Sequence, residues 1–346
     1  MPLHITPAST TVSLWREAIA SRWSLRLAAD ESRWRLAIHM TSWLRQFVRQ
    51  TRWLRVLNAS EAMRRVTQAD PRLYERWHRP YISTRFDTDT RRRIVGAHYV
   101  FLIQRFPARL SERVVLGHGV RVATLRLADA SVAYVHLRKP IRGDAGELSL
   151  SLLTMAKDVL ASCTLTFDAH NSVTVGAMRG AGAHTPLDAT GDFIRGSHGL
   201  QPRDLLLSLV RELAAVHALK RIRAVASAAC VASSPNDMVE AVDDDAFWRE
   251  QGGVPAASGC FALPLAKISS VGAKGPRSRR ERQQRREVFR LEACEAFAAA
   301  FRVSARWQPT MVSATSASVV RVDIRRPAGR ATDMAPERRR WPVAGR

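Results

Sequence analysis

A chain of 346 residues with 46% hydrophobic content and a mean hydropathy of -0.17 is long enough for one large or two smaller globular domains. It is too polar for a membrane-embedded bundle, and no run approaches the ~18 uninterrupted apolar residues of a spanning helix. The net charge of +23 and the pI near 11.4 point to anionic partners: nucleic acid, a membrane surface or acidic ligands.

Nearly all of that positive charge is Arg, and Ala is abundant, a pairing that a G+C-rich coding sequence produces without selection on function. The opening "MPLHITPASTTVSLW" has no basic segment followed by an apolar one, so a cytoplasmic chain, in peripheral contact with the inner membrane at most, is expected. Cys163, Cys230, Cys260 and Cys294 form no CxxC pair and the ten histidines show no HExxH or HxxxH spacing. Buried thiols and no metal centre are expected.

Up to about residue 95 the chain reads as helical and rich in Trp and Arg. In 39–58, Met40, Trp43, Leu44, Phe47, Val48 and Leu54 recur at helical spacing, with Arg45, Arg49 and Arg52 on another face. Such a helix suits core packing with a solvated Arg face, or a membrane surface. Pro80 ends one element and a new apolar helix follows from Arg92, carrying His98 and Tyr99.

From about 118 to 178 the period changes to two. "VRVATLRL", "SVAYVHL", "ELSLSLL", "ASCTLTF" and "SVTVGAM" predict an antiparallel meander, with Leu148, Leu150 and Leu152 alternating with Ser149 and Ser151 as on a half-buried strand. A glycine-rich loop with a short helix at 188–197 leads to a helix over 203–219. A buried strand at 222–231, a helix at "DDDAFWRE", a strand at "CFALPLA" and an Arg-rich amphipathic helix through Phe289, Leu291, Ala296 and Phe297 complete the order. The fold class is therefore α+β: N-terminal helices, a meander, then helix, strand, helix, strand. The expected organisation is a helical region at 1–95, an α+β core at 96–305 and a basic tail at 306–346.

For chemistry, Arg179, Gly180 and Gly182 combine a cation with two conformationally free residues ahead of a helix. GNAT-type acyl-CoA-dependent N-acyltransferases hold pyrophosphate with such an arrangement, and the surrounding order of elements agrees with that topology. In that superfamily the glycine loop enters the helix directly, whereas residues 183–201 intervene here. Glu147, Asp168 and His170 are the groups available for acid/base work. Asp243, Asp244 and Asp245 suit an N-terminal helix cap. In "GSHGLQPR", Gly199 suits a left-handed helix end and Pro202 a first helical position, leaving His198 and Arg203 to meet Arg179 around a pocket. The Arg cluster at 277–290 lacks the companions of a sequence-reading nucleic-acid motif and supports nonspecific phosphate attraction alone.

"RPYISTRFDTDTRRRIVGAHYVF", "GELSLSL", "SVTVGAMRG", "HGLQPRDLLLSLVREL", "DDDAFWREQGG" and "FALPLA", in that order across about 70–300, resemble the VirK/YbjX family of bacterial proteins. The family's "HY" falls on His98 and Tyr99, and its "QG" on Arg179 and Gly180, a departure at the first position. Its "GLRPK" falls on Gly199 to Arg203, with Gln201 in place of Arg. Its "YDxFWxExGG" falls on Asp243 to Gly253 and keeps Phe247, Trp248, Gly252 and Gly253. An Asn and a His that follow the next strand in many members are absent from "SAACV". The resemblance implies roles in virulence, localisation of an outer-membrane virulence factor, antimicrobial-peptide resistance and the DNA-damage response, without an established reaction. Binding of an anionic phospholipid or lipid A precursor fits those roles. The alternatives are a GNAT-like transferase using acyl-CoA or acyl carrier protein, and nonspecific nucleic-acid binding.

Overall fold

Alternating apolar residues between short polar turns build five consecutive antiparallel strands: β1 (Val120–Arg126), β2 (Val132–Arg138), β3 (Leu148–Thr154), β4 (Val159–Asp168) and β5 (Ser172–Arg179). They belong to a computed structural model that describes residues 11–28, 46–140, 143–182, 185–231, 244–266 and 277–302. All of these lie within the unit Met1–Trp307. Ser149 and Ser151 are buried like the leucines beside them and share a 3.3 Å hydrogen bond. Their polarity thus marks no solvent face, which corrects the half-buried reading of β3.

Helices α1 (Thr11–Ala28), α2 (Phe47–Leu57) and α3 (Glu61–Ala69) precede the sheet. Ser60 caps α3 by accepting from the Met63 N–H at 3.2 Å. On α2, Trp53, Leu54 and Leu57 are buried while Phe47 and Val48 face outward, so the apolar face lies further along than the 39–58 pattern placed it. Met40, Trp43, Leu44 and Arg45 lie outside the described residues. Phe47 is instead stacked on Trp15 of α1, their centroids 5.1 Å apart, and the Trp15 indole donates to Thr51 Oγ1 at 3.0 Å. Helix α4 (Thr88–Arg105), capped by Asp87, lies against β4, and α5 (Ala108–Val115) leads into β1.

After β5 come α6 (Leu187–Gly196) and α7 (Pro202–Val216). In α7, Leu205, Leu206, Leu207, Leu209, Val210 and Leu213 are all fully buried, the pattern of a core helix rather than a surface one. It crosses to β6 (Arg221–Val225), which pairs with β5 in parallel, and α8 (Asp244–Glu250), β7 (Val254–Ala256) and β8 (Cys260–Leu263) follow. The sheet order is β1-β2-β3-β4-β5-β6-β8-β7. The strand expected over 222–231 stops at Val225, where a 3-10 turn at Ser227–Ala229 bends the chain away. Helix α9 (Arg277–Arg302) buries Phe289, Ala293, Phe297 and Phe301 at four-residue spacing and leaves its Arg-rich start exposed. No described helix is long and apolar enough to cross a membrane.

Candidate functional site

The parallel ladder of β5 with β6 runs from Ser172–Arg221 to Val175–Ala224 and ends, while β5 continues along β4 as far as Arg179. At the same point β5 bulges. Leu165 faces Val175 and Thr164 faces Ala177, so Gly176 is the extra residue. A Cβ at Gly176 would stand 1.7 Å from the Ala145 carbonyl oxygen, so only glycine lets the 143–147 segment cross the strand here. Past Val225 the chain pairs Cys230 with Ser83 in an isolated bridge, and the Thr84 N–H donates to the Ala229 carbonyl at 2.8 Å. Cys230 Sγ lies 3.8 Å from the Gly176 carbonyl. The two parallel strands therefore part beyond Val175, and Ala145, Ser83 and Cys230 line the parting.

What holds Ala145 there is a buried ionic cluster. Arg76, on a 3-10 turn at Arg76–His78, sets its guanidinium 3.0 Å from Asp70 and 3.2 Å from Glu147, and Lys139 Nζ approaches Asp70 at 2.6 Å. The Glu147 side chain is 0% exposed and that of Arg76 8%. The approach of Arg76 Nε to Glu147 is an ion pair rather than an aligned hydrogen bond. The Tyr99 hydroxyl donates to Glu147 at 2.7 Å, and the Glu147 N–H to Thr166 at 3.3 Å. A Cβ on Gly143 would stand 2.2 Å from the guanidinium, so the loop backbone lies directly on Arg76.

Burial lowers the Arg76 pKa, but Glu147 and Asp70 more than offset it and the net shift is upward. At Asp70 burial raises the pKa, and Lys139 with Arg76 brings it below the ordinary value. Burial, then the Glu147 charge, pushes Tyr99 and Tyr81 well above 10.0, so both phenols stay protonated. The cluster clamps the 143–147 loop, and with it Ala145, against Gly176. His98 accepts from the Phe167 N–H at 3.2 Å, and burial holds its pKa at about 3. Tyr99 and Glu147 are thus brought together, with Arg76, Asp70, Lys139 and Tyr81 as members that sequence reasoning missed, while His98 is held on β4 by Phe167.

A second group forms at the start of α7. Gly199 has φ +90 and its N–H returns to the Ile194 carbonyl at 2.7 Å, which closes α6, while Pro202 opens α7. His198, at φ 59, takes part in the same turn. Arg203 pairs with Asp244 and lies over the Phe247 ring, 4.3 Å from its centroid. Asp245 accepts from the Ser227 N–H at 2.7 Å, and the buried Trp248 donates to the Val225 carbonyl at 3.2 Å. Asp244 and Asp245 thus tie α8 to α7 and to the end of β6, beyond a capping role; Asp243 lies outside the described residues. Arg179, the last residue of β5, and Gly180 and Gly182 beyond it are exposed. Arg203 is turned to α8 rather than to a centre shared with His198 and Arg179. Asp168, the other acid/base candidate, is paired with Arg223 at 2.6 Å, and its Oδ1 accepts from the His170 N–H at 2.8 Å. Burial pushes the Cys163 thiol up to about 12 and Cys294 to about 11, the behaviour of inert thiols.

A meander joined by one parallel step to an antiparallel end, with a buried crossover helix between, defines an α+β protein in which the parallel ladder is short and ends at Val175–Ala224. Over residues 28–290 the chain matches the family described as "Protein of unknown function (DUF535)", and it belongs to that family. None of the curated proteins matches it. Among solved structures it is similar to a mutant of a cAMP-binding acyltransferase from Mycobacterium smegmatis, with 12% identity and a TM-score of 0.25. That similarity covers 51% of this chain and 55% of the other, so the chain spans about half the length of that structure.

Proposed function

We propose that the protein is an acyltransferase of GNAT-type architecture that takes its acyl group from a thioester, acyl-CoA or acyl carrier protein. The acceptor would be an envelope component, in keeping with the VirK/YbjX-like motifs. One observation carries the proposal: the β5–β6 ladder ends at Val175–Ala224, where β5 bulges at Gly176, while β5 itself runs on along β4 to Arg179. Strand direction adds to it. Because α7 runs back to the start of a parallel β6, its first turn lies at the same end of the sheet as the parting, and Trp248 and Arg203 join the two.

A thioester laid beside the end of β5, beyond Gly176, would set its carbonyl against the β5 backbone, whose N–H groups can stabilise the charge that develops on oxygen during transfer. Its phosphates would meet the positive end of α7. Arg76 and Glu147 act here as positioning residues, holding the loop that lines the opening. A thermal-shift titration with acyl-CoA, free CoA and acyl carrier protein tests the proposal. A ligand at about 100 times its Kd adds roughly 2.7 kcal/mol, a shift of a few degrees. Absence of a shift with every acyl thioester would overturn it. A second reading, retention of an anionic lipid, is favoured by an arginine-rimmed groove elsewhere on the molecule.

A further inference from the structure

Helix α4 leaves one face open between α2 and the turn that joins β4 to β5, and the resulting groove encloses about 490 Å³. We propose that this groove binds a single-chain anionic lipid, a fatty acid or a lysophospholipid, at a site separate from the strand parting.

The middle of the groove is apolar. Trp53 and Val56 form one wall, and Val100 and Phe101 lie along α4. Gly96 keeps that helix free of a side chain where the Trp53 ring approaches within 3.3 Å of its Cβ position. Val100 is 40% exposed, an apolar side chain presented to water in a concave site.

The ends are cationic. Arg92 and Arg93 stand on the first turns of α4 and Arg105 at its end, roughly 18 Å away by helical rise. Their local partners are weak: Arg92 is 3.6 Å from Asp89, which also takes Arg49 at 3.1 Å, and Arg93 reaches Thr90 at 3.4 Å. Arg92 Nε is buried without a hydrogen-bond partner, a donor that an anionic head would satisfy. The one carboxylate in the lining, Asp168, is neutralised by Arg223 at 2.6 Å. A volume near 490 Å³ lies in the range of small-molecule pockets, and an apolar middle between cationic ends matches a single-chain anionic lipid.

Calorimetric titration of the full chain with oleate and with lysophosphatidate tests the assignment, with lysophosphatidylcholine, inorganic phosphate and phosphatidylglycerol vesicles as comparison probes. Saturable one-to-one binding of both anionic lipids is expected, with lysophosphatidylcholine and phosphate weaker by at least about tenfold, the loss of one charge-assisted contact. Val100→Asp should abolish lipid binding while the far-UV spectrum and the acyl-CoA thermal shift persist. The paired variant Arg92→Gln/Arg93→Gln should weaken it at least about tenfold. Equal binding of lysophosphatidylcholine, saturation by phosphate alone, binding confined to vesicles, or anionic-lipid binding that survives both variants would overturn it.

Discussion

Glu147→Gln removes one charge from the clamp without changing its volume. In the native protein the Glu147 carboxylate meets Arg76 at 3.2 Å and accepts the Tyr99 hydroxyl at 2.7 Å, with no exposed surface of its own. Removing one member of a buried pair costs ~3–5 kcal/mol, because the remaining charge stays buried without its partner. Arg76 retains Asp70 at 3.0 Å, which places the expected loss at the lower end, about 3 kcal/mol. That is a large fraction of a typical ~5–15 kcal/mol of stability. Equilibrium urea unfolding reads it as a lower midpoint at unchanged slope. The cycle with Arg76→Met sharpens the test, because the double variant no longer buries the unpaired guanidinium and should lose less than the sum of the single variants. A Glu147→Gln protein within ~0.5 kcal/mol of the parent, or strict additivity in the cycle, would refute the clamp.

Acid should destabilise the fold through His98. Its pKa is about 3 when folded against an ordinary 6.5, so the unfolded chain binds the extra proton and stability, complete above pH 6.5, falls by up to ~1.4 kcal/mol per pH unit down to about 3. His98→Gln should remove about 2 kcal/mol of the difference between the unfolding free energies obtained from urea titrations at pH 7.5 and 5, and an unchanged difference would contradict this. Gly176→Ala must push the Ala145 carbonyl aside and should cost ~3 kcal/mol, whereas Gly180→Ala meets nothing within 4 Å and should be close to neutral by thermal unfolding. Arg203→Ala loses the Asp244 pair and the Phe247 contact, and should raise hydrogen exchange throughout α8 at a cost of ~1–2 kcal/mol.

The meander was legible because period-two alternation is a local property, and so was the turn ahead of α7, where Gly199 and Pro202 each answer a local backbone demand. Arg76, Asp70 and Lys139 were not legible. They come from two short turns and the segment just past β2, and an arginine in an arginine-rich chain looks like solvated surface until two carboxylates are found beside it. The close-packed glycine was hard to see for a related reason. Gly180 and Gly182 stand out in "MRGAGA" yet meet open space, whereas Gly176 hides inside a strand and is fixed by a loop some thirty residues earlier. His98 and Tyr99 were singled out by resemblance alone, and only the packed structure shows one accepting from β4 and the other donating to Glu147.

Hydrogen–deuterium exchange with and without saturating acyl-CoA or acyl carrier protein tests acyl transfer at the strand parting most directly. Slower exchange should be confined to amides of Gly176–Gly182 and of the first turn of α7, with α4 unchanged. Protection on the α4 groove alone, or none anywhere at saturation, would contradict it.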